Sequence, residues 1–307
     1  MNLQGEHILS TKQFDKDGLL ELFEEAKQME AVLTGPGYLD LLKGKLMATI
    51  FFEPSTRTRF SFESAMLRLG GSVKSNPDML RNSSIKKQET LWDTGKVLSQ
   101  MADVIVMRHP EAGTVAEVAK GSDVPVMNAG DGSNEHPTQG LLDLYTIWKT
   151  FGKLDGLQVG MMGDLKNSRV IHSECDLLKH FDVDFVFISP KEVAMPGSIT
   201  EELEAGGAQV LEMETLAEAI GDLDVLSTSR LQEERFDNPE DCEKLRGSFI
   251  LTPELLAKSK SEMIVLAPLP RVEELPTAID SDPKCKYFEQ VGNGVALRMA
   301  LLKKVLT

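Results

Sequence analysis

Cysteine is scarce in this chain, and long apolar runs are missing from it. The 307 residues include three cysteines, which lie far apart in the sequence: Cys175, Cys242 and Cys285. An odd, small number of cysteines without a Cys-x-x-Cys pair excludes a disulfide framework and a paired-cysteine zinc site, and is typical of a reducing compartment. No apolar stretch approaches the length of a membrane span, and residues 1–5 do not resemble a signal peptide. We therefore expect a cytoplasmic protein with no membrane partner.

Positive charge is also in the minority. The chain carries 33 Lys and Arg against 48 Asp and Glu, a formal net charge of −15. Such a balance repels nucleic acid and anionic membranes, so any anion site must be a local arginine cluster. Apolar residues at 41% and charged residues at 26% are ordinary for a globular protein. The length is sufficient for two domains, each with its own core.

Segments typical of strands and helices alternate along the chain, which predicts parallel α/β sheets. The predicted strands are 46–52, 104–107, 124–128, 158–162, 185–189, 210–213, 225–227 and 263–267. The predicted helices are 60–69, 90–101, 114–120, a long one after His136-Pro137 and an apolar one at 292–306. We expect two similar α/β domains, each a mostly parallel sheet flanked by helices. They comprise residues 1–136 and 150–287, joined by a long interdomain helix, with the C-terminal helix 292–307 packing back on the first.

The run Ser55-Thr56-Arg57-Thr58-Arg59 lies where the first strand stops and a helix starts. Such a junction has unpaired backbone N–H groups and the positive end of the helix dipole, which together favour a bound anion. Ser55 is a favourable residue for the N-cap. Arginines at a helix start oppose the dipole unless an anion is present. The run therefore predicts a phosphate site, and the alternative is a capped helix with two surface arginines.

Two further clusters are polar at positions where the sheet should bind ligands. Arg108 ends a predicted buried strand, at the carboxyl edge where open α/β sheets bind ligands. A strand-end arginine paired with a nearby acid is the alternative. His136 follows a predicted glycine-rich turn at 128–132 and opens the long helix, with Gln139 one turn on. A histidine there can stay neutral and donate a hydrogen bond to a carbonyl oxygen, although a purely structural histidine is equally compatible.

The second half of the chain repeats the pattern. The segment 163–169 follows a predicted strand but lacks the G-x-G-x-x-G spacing, so we do not predict a dinucleotide site. Arg169 and Arg230 both stand at strand carboxyl ends, and the segment 268–271 (Pro-Leu-Pro-Arg) follows the strand at 263–267. Two arginine forks can each hold a carboxylate with paired hydrogen bonds, which suits a dicarboxylate. Ordinary interdomain salt bridges are the alternative.

Taken together, these segments resemble the aspartate carbamoyltransferases, and the match runs from Ile8 to Leu302. The segments in the family's order and spacing are FFEPSTRTR, VMRHP, NAGDGSNEHPTQGLLDLYTI, GDLK, RLQEER and PLPR. Pro-Leu-Pro-Arg and the lack of a Ser-Met-Gly segment favour aspartate over ornithine. The resemblance implies a transferase of pyrimidine biosynthesis that moves the carbamoyl group of carbamoyl phosphate to L-aspartate, without a cofactor or a metal.

The resemblance also implies which residues act. Those for carbamoyl phosphate are Ser55, Thr56, Arg57, Thr58, Ser83, Lys87, Arg108, His136, Gln139 and the backbone of Pro268 and Leu269. Those for aspartate are Arg169, Arg230, Gln232 and Lys87. The expected catalytic residues among them are Arg57, Thr58, Lys87, Arg108 and His136. Arg59 is expected to serve structure mainly, and no definite role follows for Arg271.

Ser83 and Lys87 would come from a neighbouring subunit, which implies at least a homotrimer with shared active sites. The chain has no four-cysteine zinc module, so a zinc-bearing regulatory partner would be a separate polypeptide. Two alternatives stay open: a carbamoyltransferase for another amino acid or amine, and a non-catalytic scaffold homologue, which would require a broken phosphate site. The chain also departs from the family at Ala267, Asn167 and Ser227, where the family has a histidine and two tyrosines. We expect from this a different balance of domain closure and weak or missing cooperativity.

Overall fold

The computed structural model describes residues 1–236 and 238–307. These residues form two compact units, one made of 1–145 with 291–307 and the other of 146–290. The chain passes from one unit to the other inside two helices, Pro137–Phe151 and Tyr287–Leu306. No helix among the described residues is both long enough and apolar enough to span a membrane.

The first unit contains a parallel sheet of four strands in the order β2-β1-β3-β4. The central strands β1 and β3 are buried along most of their length, as expected for a parallel sheet covered on both faces. The strands are β1 (Leu46–Phe51), β2 (Ser72–Asn76), β3 (Val104–His109) and β4 (Val126–Asp131). The helices are α1 (Lys16–Thr34), α2 (Thr56–Arg68), α3 (Met79–Asn82), α4 (Leu91–Leu98), α5 (Thr114–Gly121) and the start of α6 (Pro137–Phe151). Short 3₁₀ turns lie at Thr11–Gln13 and Ser84–Lys87.

The second unit contains a parallel sheet of five strands in the order β7-β6-β5-β8-β9. Its strands are β5 (Leu157–Gly163), β6 (Val183–Ile188), β7 (Val210–Met213), β8 (Val225–Ser229) and β9 (Ile264–Leu266). Its helices are α7 (Arg169–Leu178), α8 (Gly197–Ala205), α9 (Leu216–Ala219), α10 (Pro239–Leu245), α11 (Pro253–Leu256) and the start of α12 (Tyr287–Leu306). Short 3₁₀ turns lie at Lys191–Val193, Glu233–Arg235 and Thr277–Ile279.

Each unit has its own apolar core beneath its sheet. In the first, Ile105 and Met107 of β3 pack with Val115 and Val118 of α5, all fully or almost fully buried. Burying such side chains contributes about 1.5–3 kcal/mol each, which fixes the helix against the sheet. A second cluster in the other unit gathers side chains from the sheet and α9. The predicted α/β class, with two parallel sheets flanked by helices, is therefore confirmed.

The main boundary correction concerns β4. We expected a strand at 124–128 followed by a glycine-rich turn at 128–132, but the strand covers Val126–Asp131. The predicted turn was wrong because buried polar side chains complete the strand end. The Asn128 amide donates to the Leu9 carbonyl at 3.1 Å and to Asp131 at 2.9 Å, and its oxygen accepts from Gly130 at 2.8 Å.

The end of α12 packs on the first unit. Lys303 pairs with Glu25 of α1 at 2.7 Å, and Lys304 pairs with Glu21 of the same helix. The Gly5 N–H donates to the Val305 carbonyl at 3.0 Å. These contacts hold the C-terminal helix to the N-terminal segment of the chain.

Candidate functional site

The start of α2 presents the predicted phosphate-binding run. Ser55 occupies the N-cap position with extended backbone, yet among the described residues its side chain makes no capping hydrogen bond. The expected place of Ser55 at the N-cap is therefore confirmed, although its hydroxyl does not serve as the capping group. Thr56 and Arg57 are exposed at the first turn. The N–H groups of a first helical turn point outward without intrahelical partners, so this surface can receive an anion.

A second helix start meets the first at this place. The Thr58 hydroxyl lies 3.4 Å from the Nε2 atom of His136, although the two residues are 78 positions apart. Both side chains are buried, with 6% and 4% of their surface exposed. Thr58 belongs to the first turn of α2 and His136 immediately precedes α6, so two helix N-termini converge at the same point. The positive potential of both helix N-termini therefore acts at the point where the hydrogen-bonding side chains of Thr58 and His136 meet.

Arg108 stands at the carboxyl edge of the same sheet. It pairs in register with Phe51 at the end of β1, beside the loop that leads to α2. Its Nε atom donates to Glu53 at 2.6 Å, and an Nη atom donates to the Ala129 carbonyl at 3.2 Å. The pairing with a nearby acid that we considered as an alternative therefore exists. It fixes the plane of the guanidinium at the edge where parallel sheets bind ligands.

The loop that carries Ser83 and Lys87 lies in the first unit as well. Ser83 caps the 3₁₀ turn Ser84–Lys87: its hydroxyl donates to the Met79 carbonyl at 2.5 Å and accepts from the Ile85 N–H at 3.3 Å. The Lys87 side chain is exposed at the end of this turn. No hydrogen bond between either residue and Thr58 or His136 is found among the described residues. The loop is thus an exposed, cationic segment of the surface.

In the second unit, a close approach of two strand ends places Arg169 and Arg230. Gly163 of β5 pairs with Ser229 of β8, and a Cβ atom on Gly163 would lie 1.8 Å from the Ser229 carbonyl oxygen. Gly163 also has φ +122°, which side chains disfavour. Arg230 directly follows Ser229, and Arg169 begins α7 after the loop from β5. Both arginines therefore follow neighbouring strands of one sheet, as predicted.

The buried Asp164 ties these two loops together. Its carboxylate accepts from the backbone and side chain of Asn167 at 3.0–3.1 Å and from the Gln232 N–H at 3.0 Å. Burial raises the pKa of Asp164, and the hydrogen bonds act in the opposite direction. The Gln232 side chain in turn donates to the Arg230 carbonyl at 3.1 Å. Gln232 and Arg230 are thus held in a fixed relation at the end of β8.

Arg230 already holds one carboxylate. Its two Nη atoms donate to the two oxygens of Glu234 at 3.1 and 2.6 Å, and one of them also donates to the Leu231 carbonyl at 2.8 Å. The hydrogen bonds that Arg230 donates to the Glu234 carboxylate raise the pKa of Arg230. This paired geometry is the one that a carboxylate ligand would use.

The segment after β9 has an unusual backbone. Leu269 has φ +52°, in the left-handed region that a branched residue seldom adopts. Such strain at a loop is a common sign of a functional constraint. Before it, the Ala267 N–H donates to Gln290 at 3.0 Å. Pro268 and Leu269 are both half-buried in the second unit.

Comparisons with known proteins assign the chain to a family. Residues 6–149 match the model of the aspartate/ornithine carbamoyltransferase carbamoyl-P binding domain, and residues 155–305 match that of the Asp/Orn binding domain. The chain belongs to the aspartate/ornithine carbamoyltransferase family. The aspartate carbamoyltransferase catalytic subunit of Methanocaldococcus jannaschii is 46% identical over 301 residues, which cover 98% of this chain and 97% of that protein. The corresponding subunit of Thermococcus kodakarensis is 47% identical over 302 residues, with the same coverage of 98% and 97%.

A solved structure from the family agrees with these sequence matches. Aspartate transcarbamoylase from Trypanosoma cruzi, in complex with carbamoyl phosphate and aspartate, superposes with a TM-score of 0.94 at 37% identity. The match covers 99% of this chain and 98% of that one. The predicted membership of the carbamoyltransferase family and the predicted fold are confirmed.

Arg271, for which no role was predicted, serves the structure of the second unit. Its guanidinium donates to both oxygens of Asp280 and, at 3.0 Å, to the Tyr287 hydroxyl. It also lies 5.2 and 5.5 Å from the ring centres of Tyr287 and Phe288. Cation–π contacts and a paired carboxylate together hold this arginine in place.

The positions at which the chain departs from the family carry polar or small side chains. Asn167 bonds to Asp164, the Ser227 hydroxyl donates to buried Glu174 at 3.0 Å, and Ala267 is buried. No aromatic ring or imidazole stands at these positions. Weak or missing cooperativity stays a prediction, and an aspartate saturation curve of the isolated chain tests it.

The residues that sequence reasoning missed are the acids beside the arginines, chiefly Glu53, Asp164 and Glu234. All three stand inside the quoted motifs FFEPSTRTR, GDLK and RLQEER, so their position was visible although their partners were not. Among the residues that the structure describes, no group of three or more His, Cys, Asp and Glu side chains is arranged to hold a metal ion.

Proposed function

We propose that this chain transfers the carbamoyl group of carbamoyl phosphate to the amine of L-aspartate, forming N-carbamoyl-L-aspartate and phosphate. The observation that carries the proposal is the 3.4 Å approach of Thr58 and His136 at two converging helix N-termini. A phosphate and a neighbouring carbonyl oxygen are the groups that such a place stabilises. The family and the substrates bound by the Trypanosoma cruzi relative support it.

For carbamoyl phosphate, the phosphate would rest on the start of α2. Ser55, Thr56, Arg57 and Thr58 would hold its oxygens, and the helix dipole would favour its charge. Arg108, His136 and Thr58 would donate to the carbamoyl oxygen. The carbamoyl NH₂ would be held by Gln139 and by the backbone of Pro268 and Leu269.

The chemistry is then a direct displacement. The lone pair of the aspartate amine attacks the carbamoyl carbon, and the carbonyl π electrons move to the oxygen. The donors on that oxygen stabilise the tetrahedral oxyanion, an effect that commonly contributes about 10²–10³-fold per donor. The oxyanion then collapses, the C–O bond to phosphate breaks, and the departing phosphate accepts the amine proton. Arg57 neutralises the growing charge on the phosphate, while alignment of the two substrates lowers the entropic part of the barrier.

For aspartate, Arg169, Arg230 and Gln232 would bind the two carboxylates. Arg230 would exchange Glu234 for a substrate carboxylate, an exchange of like partners with a small net cost in a partly exposed pair. Lys87 would act on both substrates from a neighbouring copy, together with Ser83. We therefore propose a homotrimer with shared active sites, which a solution mass three times that of one chain would support. A separate regulatory chain remains compatible with this arrangement.

The assignment of roles to the two parts of the chain is also a proposal. Residues 1–136 with 292–307 would bind carbamoyl phosphate, and residues 150–287 would bind aspartate. The placement of Thr58, Arg108 and His136 in one unit and of Arg169, Arg230 and Gln232 in the other supports this division. The cytoplasmic location stays a prediction from the sequence.

The purified chain, supplied with carbamoyl phosphate and L-aspartate, tests the proposal. We expect phosphate release and N-carbamoyl-L-aspartate in equal amounts, both dependent on aspartate. The same assay with ornithine and with putrescine is the specificity control. Product from either amine but not from aspartate would assign the chain to another carbamoyltransferase, and no product from any would leave only a scaffold role.

A further inference from the structure

We propose that Asp143, supported by Arg298, sets the orientation of the Gln139 carboxamide and so decides that its oxygen, not its nitrogen, meets the carbamoyl NH₂. Asp143 and Arg298 are positioning residues in this proposal, since they act through Gln139. The inference rests on the proposed function, in which Gln139 binds the carbamoyl group.

The geometry begins with two residues one helical turn apart. Gln139 lies in the first turn of α6, and its Nε2 atom donates to the Asp143 Oδ1 atom at 2.9 Å. Residues four apart face the same side of a helix, so this contact is built into α6 itself. Asp143 has no exposed surface, whereas Gln139 is partly exposed. The hydrogen bond therefore links a buried carboxylate to a side chain at the surface of the site.

The chemistry of the carboxylate determines which end of the amide it faces. An ionised Asp accepts hydrogen bonds only, while a Gln amide has a donor end and an acceptor end. The NH₂ end of Gln139 must then face Asp143, which leaves Oε1 at the opposite end. This oxygen can accept a hydrogen bond from the NH₂ group of carbamoyl phosphate. It can form no such hydrogen bond with a ligand that has a methyl group in place of the NH₂.

Arg298 supplies a positive charge that interacts with Asp143 and favours its ionised, hydrogen-bond-accepting form. A buried carboxylate without an opposite charge tends to take up a proton, and it could then also donate. Arg298 of α12 is 97% removed from solvent, with 3% of its surface exposed. Burial lowers the pKa of Arg298 to about 9, and the charge of Asp143 acts against that shift. Arg298 also donates to Thr138 at 3.1 Å and lies 4.8 Å from the ring centre of Phe62, so it is fixed beside the start of α6.

The test compares two phosphate esters in the Asp143→Asn variant. Asparagine has the shape of aspartate but can turn either end of its amide to Gln139, so the Gln139 amide loses its fixed orientation. We expect the KM for carbamoyl phosphate to rise about tenfold, while the inhibition constant of acetyl phosphate, which has a methyl group in place of NH₂, changes by less than about twofold. If Asp143 had only a structural role, the variant would weaken the binding of carbamoyl phosphate and of acetyl phosphate by the same factor.

Three further variants complete the experiment. In a Gln139→Leu background, the Asp143→Asn change should have no additional effect on the KM for carbamoyl phosphate, because the group that it orients is absent. The double variant Asp143→Asn/Arg298→Met carries no uncompensated buried charge, and it should show the same selective loss even where Asp143→Asn alone is unstable. Arg298→Lys retains a positive charge, and it should keep the ratio of the two constants closer to wild type than Arg298→Met does.

Equal losses for carbamoyl phosphate and acetyl phosphate, or no loss for either, would overturn the proposal. So would an undiminished effect of Asp143→Asn in the Gln139→Leu background. Failure of the proposed function is a separate result, since it would appear as no carbamoyl transfer by the wild-type chain before any variant is measured.

Discussion

Replacing Arg108 by alanine should abolish most turnover while leaving the fold almost intact. The side chain is 15% exposed, and its partner Glu53 is 27% exposed, so both groups retain some contact with water. Loss of their hydrogen bond should therefore cost about 1–2 kcal/mol of unfolding free energy. Loss of a donor on the developing oxyanion should raise the activation free energy by about 2.7–4 kcal/mol, a fall of 10²–10³-fold in kcat.

A matched arginine in the same unit provides the control. Arg59 donates to Glu63 at 3.4 Å and to Ser75 at 3.0 Å, and its guanidinium lies 4.8 Å from the ring centre of Phe60. It therefore has structural partners of its own, in agreement with the structural role expected from the sequence. We expect Arg59→Ala to lose stability comparable to that of Arg108→Ala, but to keep kcat within about threefold of wild type.

The assay is phosphate release at saturating aspartate and carbamoyl phosphate, with thermal unfolding of the same preparations. Near-normal kcat in a folded Arg108→Ala protein would refute the assignment of Arg108 to the carbonyl oxygen. An equal loss of kcat in both alanine variants would also refute it, because the effect would then follow from perturbing the unit and not from the position of the guanidinium.

Three shorter predictions concern other parts of the molecule. Arg57→Ala should lower kcat at least about a hundredfold, since Arg57 is the expected phosphate ligand, and the phosphate-release assay measures this. Gly163→Ala should lower the unfolding free energy by about 3 kcal/mol or more, because the new Cβ would collide with the Ser229 carbonyl and the φ of this residue is +122°. The control is Gly221→Ala, whose Cβ would meet nothing within 4 Å and should change the unfolding free energy little. Urea unfolding measures both. Burial lowers the pKa of His172 in the folded chain, so the unfolded chain binds more protons at mildly acidic pH. The free energy of unfolding should therefore fall as the pH decreases below about 6.5. His172→Gln should make that fall smaller in unfolding measured from pH 7 to pH 5.

The arginines of the candidate site could be predicted because the chain order fixes where they must lie. Parallel strands end at the same edge of a sheet, so an arginine at the end of a strand was expected at that edge. Arg108 stands there in the first sheet, and Arg230 follows a strand end in the second. The partner acids could not be predicted in the same way. Asp143 shares a helix with Gln139, but Arg298, whose pKa the charge of Asp143 raises, lies far away in the sequence, and only the folded chain makes the two charges interact.

The missed elements of the fold have a similar explanation. The edge strand β2 is largely exposed and polar, so it lacks the apolar alternation that marks a strand. The strand β4 runs past its apolar residues because Asn128 and Asp131 are buried and satisfy one another. Hydropathy alone ends such a strand too early, since it treats every polar residue as a sign of solvent.

The acidic background of the chain is compatible with anionic substrates because the acids orient the arginines. Arg230 and Arg271 illustrate two outcomes of the same pairing. Asp280, the Tyr287 hydroxyl and two aromatic rings surround Arg271, so an incoming carboxylate would have to displace several partners at once. Arg230 is paired with Glu234, a side chain 53% exposed and four residues away on the same segment, and an exposed pair of this kind contributes about 1 kcal/mol or less. In the proposed site, a substrate carboxylate would therefore replace Glu234 on Arg230 at smaller cost than it would displace the several partners of Arg271.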